Sequence, residues 1–132
     1  MNNSEPKITR EQILEASKGT LQKQYYIVFS TPVAGLGPVM ENLPAHLEHQ
    51  SKIEREGVLV AAGPHWTDDE KEWLGDGTIV IRAKSLEHAR QISDSDPMHQ
   101  AGARSARVRP WLVNEGGFRL RICFSEGKFE IE

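Results

Sequence analysis

A chain of 132 residues, 38% hydrophobic and 27% charged, has the length and makeup of a single domain that buries a core without disulfides or a structural metal. A formal net charge of -3 argues against a dedicated nucleic-acid surface, and the lone Cys123 excludes an intramolecular disulfide and a multi-cysteine zinc site. No stretch approaches the ~20 apolar residues of a membrane span and the first residues carry no hydrophobic signal core, so a cytoplasmic location without a membrane partner is expected.

In chain order, residues 1–7 are polar. Thr9-Arg-Glu-Gln12 has capping-box spacing and predicts a short amphipathic helix over 10–18, closed by the basic last turn and stop of Lys18-Gly19. At roughly nine residues that helix would be marginal alone and is expected to dock on the core. Residues 24–31, QYYIVFST, are aromatic and β-branched and predict the first strand; residues 32–38 have turn composition. A helix follows from Leu43, with Asn42 as N-cap, Pro44 in the first turn and Gly57 as the stop. Residues 58–62 contain no polar residue and predict a buried strand. Residues 65–77 form a polar loop with Trp66 and Trp73, and residues 78–83 predict a third strand. A second helix starts at Ser85 and is broken before Pro97, where the preceding residue disfavours the α region. Residues 98–103 fit one more turn, and residues 105–112 a fourth strand. Residues 118–124 and 128–131 flank Ser-Glu-Gly as a terminal hairpin.

The order β-α-β-β-α-β is that of a ferredoxin-like α+β protomer, an antiparallel sheet with both helices on one face. A sheet covered on one side should alternate apolar and polar residues. Residues 25–29, 58–62 and 79–81 are apolar on both faces. The face turned from the helices therefore needs a cover. A second copy closing a dimeric α/β barrel of two-fold symmetry is the simplest; the terminal hairpin or the first helix is the alternative.

At about 100° per residue, Leu43, Leu47, Gln50 and Ile53 form one helix stripe, and His46 falls within it. An imidazole takes or gives a proton near neutrality, which makes a histidine on a sheet-facing stripe the most informative residue of the chain. Periodicity alone leaves two readings open for it, a pocket base or a core histidine satisfied by backbone carbonyls. Asp96 likewise either partners a histidine or only caps the turn at Pro97. His49 makes a His-x-x-His pair with His46, short of the ligands a metal needs, so no metal is expected. His99 is a turn residue that would line the same pocket. Arg107 and Arg109 share a strand face with Trp111, and either Arg109 holds an anionic substrate group or both arginines pair with the acidic surplus. Trp66 and Trp73 form a lid over a pocket or pin their loop.

Pro44-Ala45-His46-Leu47 with the helix after it, Ala62-Gly63-Pro64, the strand over 78–83, Ser85-Leu86-Glu87, and Asp96-Pro97 with Ala101-Gly102 stand in an order and spacing that resemble the YCII-related (YciI-like) family. The resemblance covers about residues 24–116, leaving an N-terminal extension over 1–23 and a C-terminal hairpin extension over 117–132. It implies a protomer similar to muconolactone isomerase and other dimeric α/β-barrel proteins, with a His–Asp pair that falls on His46 and Asp96. The family includes a dehydrochlorinase acting on a chlorinated hydroquinone, while most of its members have no assigned reaction. The expectation is therefore a cofactor-independent isomerase or lyase acting on a small, cyclic or aromatic molecule. His46 and Asp96 would be catalytic, and Arg109, Trp66 and His99 would bind substrate. The rival from another class is a non-catalytic small-ligand binding protein on the same homodimeric scaffold.

Overall fold

The computed structural model describes residues 5–132. Residues 24–112 form one compact unit, and the described residues before Gln24 together with those from Val113 onward form a second. The elements in chain order are α1 (Arg10–Ala16), β1 (Lys23–Pro32), α2 (Leu36–Arg55), β2 (Leu59–Pro64) and β3 (Gly77–Ile81). They continue with α3 (Leu86–Asp94), α4 (Pro97–Gln100), β4 (Arg104–Val113), β5 (Leu120–Cys123) and β6 (Lys128–Ile131).

The four-stranded sheet has the order β2-β3-β1-β4, with β3 antiparallel to both neighbours. With α2 and α3 as the two crossovers, this is the ferredoxin-like βαββαβ protomer. Strand alternation decides which residues meet the helices. Tyr26, Val28 and Ser30 of β1 are buried and stand opposite Ile81, Ile79 and Gly77 of β3. Tyr26, Val28, Ile79 and Ile81 pack with Ile53 of α2 and Ala89 of α3 into one cluster, to which Val108 of β4 adds. Val39, Met98 and Ala103 form a second cluster, against which Leu43 and Trp73 pack. Each fully buried valine, isoleucine or methionine of these clusters contributes about 1.5–3 kcal/mol by leaving water.

Helix α2 begins seven residues earlier than its sequence start at Leu43 suggests. The run Gly35-Leu-Gly-Pro38 has turn composition, yet Pro38 falls in the first helical turn, where a missing N–H leaves no bond unmade. Pro44 instead lies well inside the helix, where it removes the bond to the Met40 carbonyl. The buried residues of α2 are Val39, His46 and Ile53, seven apart. Val39 belongs to one apolar cluster and Ile53 to the other, so His46 occupies the stripe between them.

Strand β2 departs from the buried strand expected over 58–62. It is the edge of the sheet, and Ala61, Ala62, Gly63 and Pro64 are exposed. Its pairing slips between Leu59 and Ala61, leaving Val60 as the extra residue of a bulge. Beyond the bulge the backbones run close together: a Cβ on Gly77 would lie 2.7 Å from the Gly63 carbonyl oxygen.

In the second unit, α1 carries the capping box that its sequence announces. The Gln12 N–H donates to Thr9 Oγ1 at 3.2 Å and the Thr9 N–H to Gln12 Oε1 at 2.7 Å. No residue of α1 is buried. In the hairpin, Leu120 stands opposite Ile131 and Ile122 opposite Phe129, which puts its apolar residues on one face. No helix among the described residues is long and apolar enough to cross a membrane.

Candidate active site

A cavity of about 750 Å³ lies between α2 and the sheet edge. Its floor is the whole of β2 with the first residues of β3, and its helix wall carries Leu43, His46, Leu47 and Gln50. Trp66, Trp73 and Asp76 border it from the β2–β3 loop, and Arg104 from the start of β4. A volume of this size suits a small organic molecule. The cavity also explains Leu47. This residue belongs to the stripe expected to face inward, but it is 55% exposed because α2 faces open space here rather than packed side chains.

His46 of this wall meets Asp96. The residue before Pro97 is held in extended backbone, and Asp96 becomes the N-cap of α4, its Oδ1 accepting the Met98 N–H at 2.9 Å. Both carboxylate oxygens also face the His46 ring, with Oδ1 2.9 Å and Oδ2 2.8 Å from Nδ1. His46 is 7% and Asp96 3% exposed. Burial on its own would raise the Asp96 pKa. The hydrogen bond and charge of His46, the Met98 N–H and the charge of His99 outweigh it and hold the carboxyl below its ordinary value. An ionised carboxylate only accepts, so the proton of the neutral ring sits on Nδ1 and Nε2 keeps its lone pair. Nε2 has no hydrogen-bond partner among the described residues, and none of their buried side-chain nitrogens or oxygens lacks one. Nε2 is therefore not fully buried, and His46 borders the cavity.

A second histidine braces the loop that borders the cavity, though it does not line the cavity itself. His65 Nδ1 lies 2.9 Å from Asp76 Oδ2 and its Nε2 2.5 Å from Thr78 Oγ1, which ties the loop after β2 to the start of β3. Arg104 is 6% exposed; its Nε donates to the Gly75 carbonyl at 2.6 Å, and its guanidinium carbon lies 5.9 Å from the Trp73 ring centre. Gly75 offers that carbonyl from a left-handed backbone, φ 99°, where a Cβ would also come within 3.0 Å of Pro32. Among the described residues, no three His, Cys, Asp or Glu side chains are grouped so as to hold a metal ion.

The model of the YCII-related domain matches residues 24–112. The chain belongs to the YCII-related family. No curated protein matches the sequence significantly. Among solved structures, the YCII-related chain is similar to 5-chloro-2-hydroxyhydroquinone dehydrochlorinase (TftG) from Burkholderia phenoliruptrix AC1100, in complex with 2,5-dihydroxybenzoquinone. The TM-score is 0.53 and the identity 19%, over 66% of this chain and 92% of that one. At this identity the likeness shows the shared fold.

Within the YCII-related domain, the residues singled out in the sequence fall in different places. His46 and Trp66 line the cavity, Trp66 62% exposed on the rim, and Asp96 is buried behind His46 and bonded to it. His99 does not line it. Its Nδ1 donates to the Ser93 carbonyl at 2.7 Å and its Nε2 lies 2.7 Å from the Ser30 hydroxyl, so both nitrogens are used inside the fold. The core histidine that periodicity left open for His46 is thus found at His99. Arg109 is exposed and also absent from the cavity wall. Val108 packs into the core on the helix side, so Arg107, Arg109 and Trp111 point from the other face of the sheet. The arginine that reaches the cavity is Arg104, which no periodic pattern marks; its only sequence signal is its place two residues after the Ala101-Gly102 turn, at the start of β4.

Proposed function

We propose that this YCII-related protein is a cofactor-independent acid–base enzyme of the lyase or isomerase type, acting on a small cyclic molecule. The observation that carries the reading is the His46 ring, held at Nδ1 by a buried carboxylate, without a partner at Nε2 and part of the wall of a cavity of ligand size. Nε2 takes a proton from a substrate carbon or hydroxyl, and the imidazolium so formed is stabilised by Asp96. In an isomerisation the same proton returns to another atom. In an elimination from a chlorinated hydroquinone, the proton taken from one hydroxyl is returned to the chlorine-bearing carbon, and chloride then leaves with its bonding pair as a second hydroxyl loses its proton and becomes a carbonyl. A positioned acid–base group of this kind contributes roughly 10²–10⁴ in rate. Trp66 and Trp73 on the rim suit a flat substrate by stacking. TftG, a dehydrochlorinase similar in fold and bound there to 2,5-dihydroxybenzoquinone, supports an elimination on a hydroxylated ring as the first chemistry to try.

The working unit is proposed to be a homodimer. Phe29 is 38% and Trp111 44% exposed on the face of the sheet turned from the helices, where Tyr25 and Ile27 are half-buried. A second copy of that face would cover these residues and close a dimeric α/β barrel. Sedimentation at micromolar concentration should give twice the monomer mass, and a stable monomer would refute it.

The enzyme reading is tested by incubating the protein with chlorinated hydroquinones and cyclic ketones in deuterated water. Chloride release or deuterium incorporation is the expected result. Ligand capture across the panel without either would make the protein a non-catalytic small-ligand binding protein.

A further inference from the structure

Arg104 is a buried cation with its counter-charge missing. It is 6% exposed, and no carboxylate among the described residues lies within ion-pair distance of it. Its one hydrogen bond runs from Nε to the Gly75 carbonyl, a neutral acceptor. That bond fixes the plane of the guanidinium and leaves the two Nη groups without a partner. Since no buried side-chain nitrogen among the described residues lacks a partner, these Nη groups are not sealed in protein. Arg104 borders the cavity, so that is where they open.

A buried charge without a partner is costly, and an anion entering the cavity would offset that cost. The other charged groups around the cavity do not serve: Asp76 is engaged by His65, and Glu54 is exposed on α2. Asp96 and Asp76 are near enough to oppose the fall in the Arg104 pKa that burial causes, without bonding to it. A guanidinium held by Nε, within cation–π reach of Trp73 and presenting two Nη groups is shaped for a planar oxyanion.

We infer that Arg104 is the anion-binding group of the cavity, and that the ligand carries a carboxylate or an ionised phenol or enol oxygen. This rests on the cavity being the ligand site proposed above and specifies what occupies it. The stretch from Asp96 to Arg104 then has two tasks: Asp96 orients the base, and Arg104 holds the charged end of the molecule on which the base acts. A substrate bound in this way presents its remaining ring positions toward the rest of the cavity, where Nε2 of His46 waits.

The test is binding, so that it stands apart from turnover. Isosteric pairs of acid and amide, benzoate with benzamide and 2,5-dihydroxybenzoate with 2,5-dihydroxybenzamide, are titrated into the unaltered protein by calorimetry at neutral pH. At least one acid should bind about tenfold or more tightly than its amide, the size expected for hydrogen bonds to a charged group. Arg104→Gln should abolish that preference and leave the amide unchanged, and Arg104→Lys should restore part of it. His46→Gln should keep the preference, so loss of turnover in that variant with acid selectivity intact separates the two claims. Equal binding of acid and amide, or no binding of any acid at millimolar concentration, would overturn the inference. If Arg104→Gln fails to fold, the acid–amide ratio in the unaltered protein decides alone.

Discussion

Both oxygens of Asp96 face Nδ1 of His46, at 2.9 and 2.8 Å, while one of them also accepts the Met98 N–H that begins α4. The carboxylate thus has a local task and a long-range one, joining residues 50 apart in sequence. Replacing it with asparagine separates them. Asp96→Asn keeps an oxygen for the Met98 N–H but loses the charge that stabilises the imidazolium. Unfolding free energy should fall by about 1–3 kcal/mol. Turnover should fall roughly ten- to a hundredfold or more, with the ¹⁵N NMR of the ring showing a mixture of tautomers in place of a single Nδ1–H form.

The same carboxylate sets a pH dependence of stability. Its pKa is lowered in the folded protein, so the stabilisation is fully present above the unfolded carboxyl value, near 4, and is lost as pH falls through the folded value. Urea midpoints should therefore drop steadily below about pH 4. In Asp96→Asn the drop should be shallower, because one carboxylate no longer takes up its proton on unfolding.

Ser30 is 1% exposed and supplies the hydroxyl that meets His99 Nε2. Ser30→Ala leaves that nitrogen unpaired and should cost about 1–3 kcal/mol of stability. Activity at a temperature where the variant is folded should not change, since neither residue borders the cavity. A selective loss of activity would place His99 in the site after all.

At Gly77 the cavity floor is tightly built. Gly77→Ala puts a methyl 2.7 Å from the Gly63 carbonyl, an atom of the backbone that cannot rotate aside. Strand β2 must shift, and stability should fall by about 1–3 kcal/mol, the range for overpacking. Because β2 lines the cavity, ligand affinity measured by calorimetry should fall with it.

Much of this architecture is written in local patterns. The Thr9–Gln12 capping box, the aromatic and β-branched run of β1 and the Ser85 cap of α3 each need only near neighbours, and the element order follows from them. Helical periodicity puts His46 on the buried stripe. Its pairing with Asp96 comes instead from the family resemblance, since no local pattern joins positions 50 apart. The missed features depend on packing. Pro38 and Pro44 trade places as helix starter and interior proline because Val39 reaches an apolar cluster that extends α2 toward its N-terminus. The strand read as buried, β2, is a sheet edge beside a cavity, and a cavity leaves no sequence signal beyond the residues that happen to line it. Arg109 shows the limit of alternation. Strand period groups it with Arg107 and Trp111, but only Val108 in the core shows that this face is turned from the site.

If His46 moves a proton at Nε2, His46→Gln should remove turnover and spare the fold. The amide offers a hydrogen bond toward Asp96 but no base in the cavity, so circular dichroism and the oligomeric mass should match those of the unaltered protein. On whichever compound the deuterium and chloride screen identifies, kcat should fall by roughly 10²-fold or more. A folded His46→Gln protein that turns over the compound at the original rate would contradict the account.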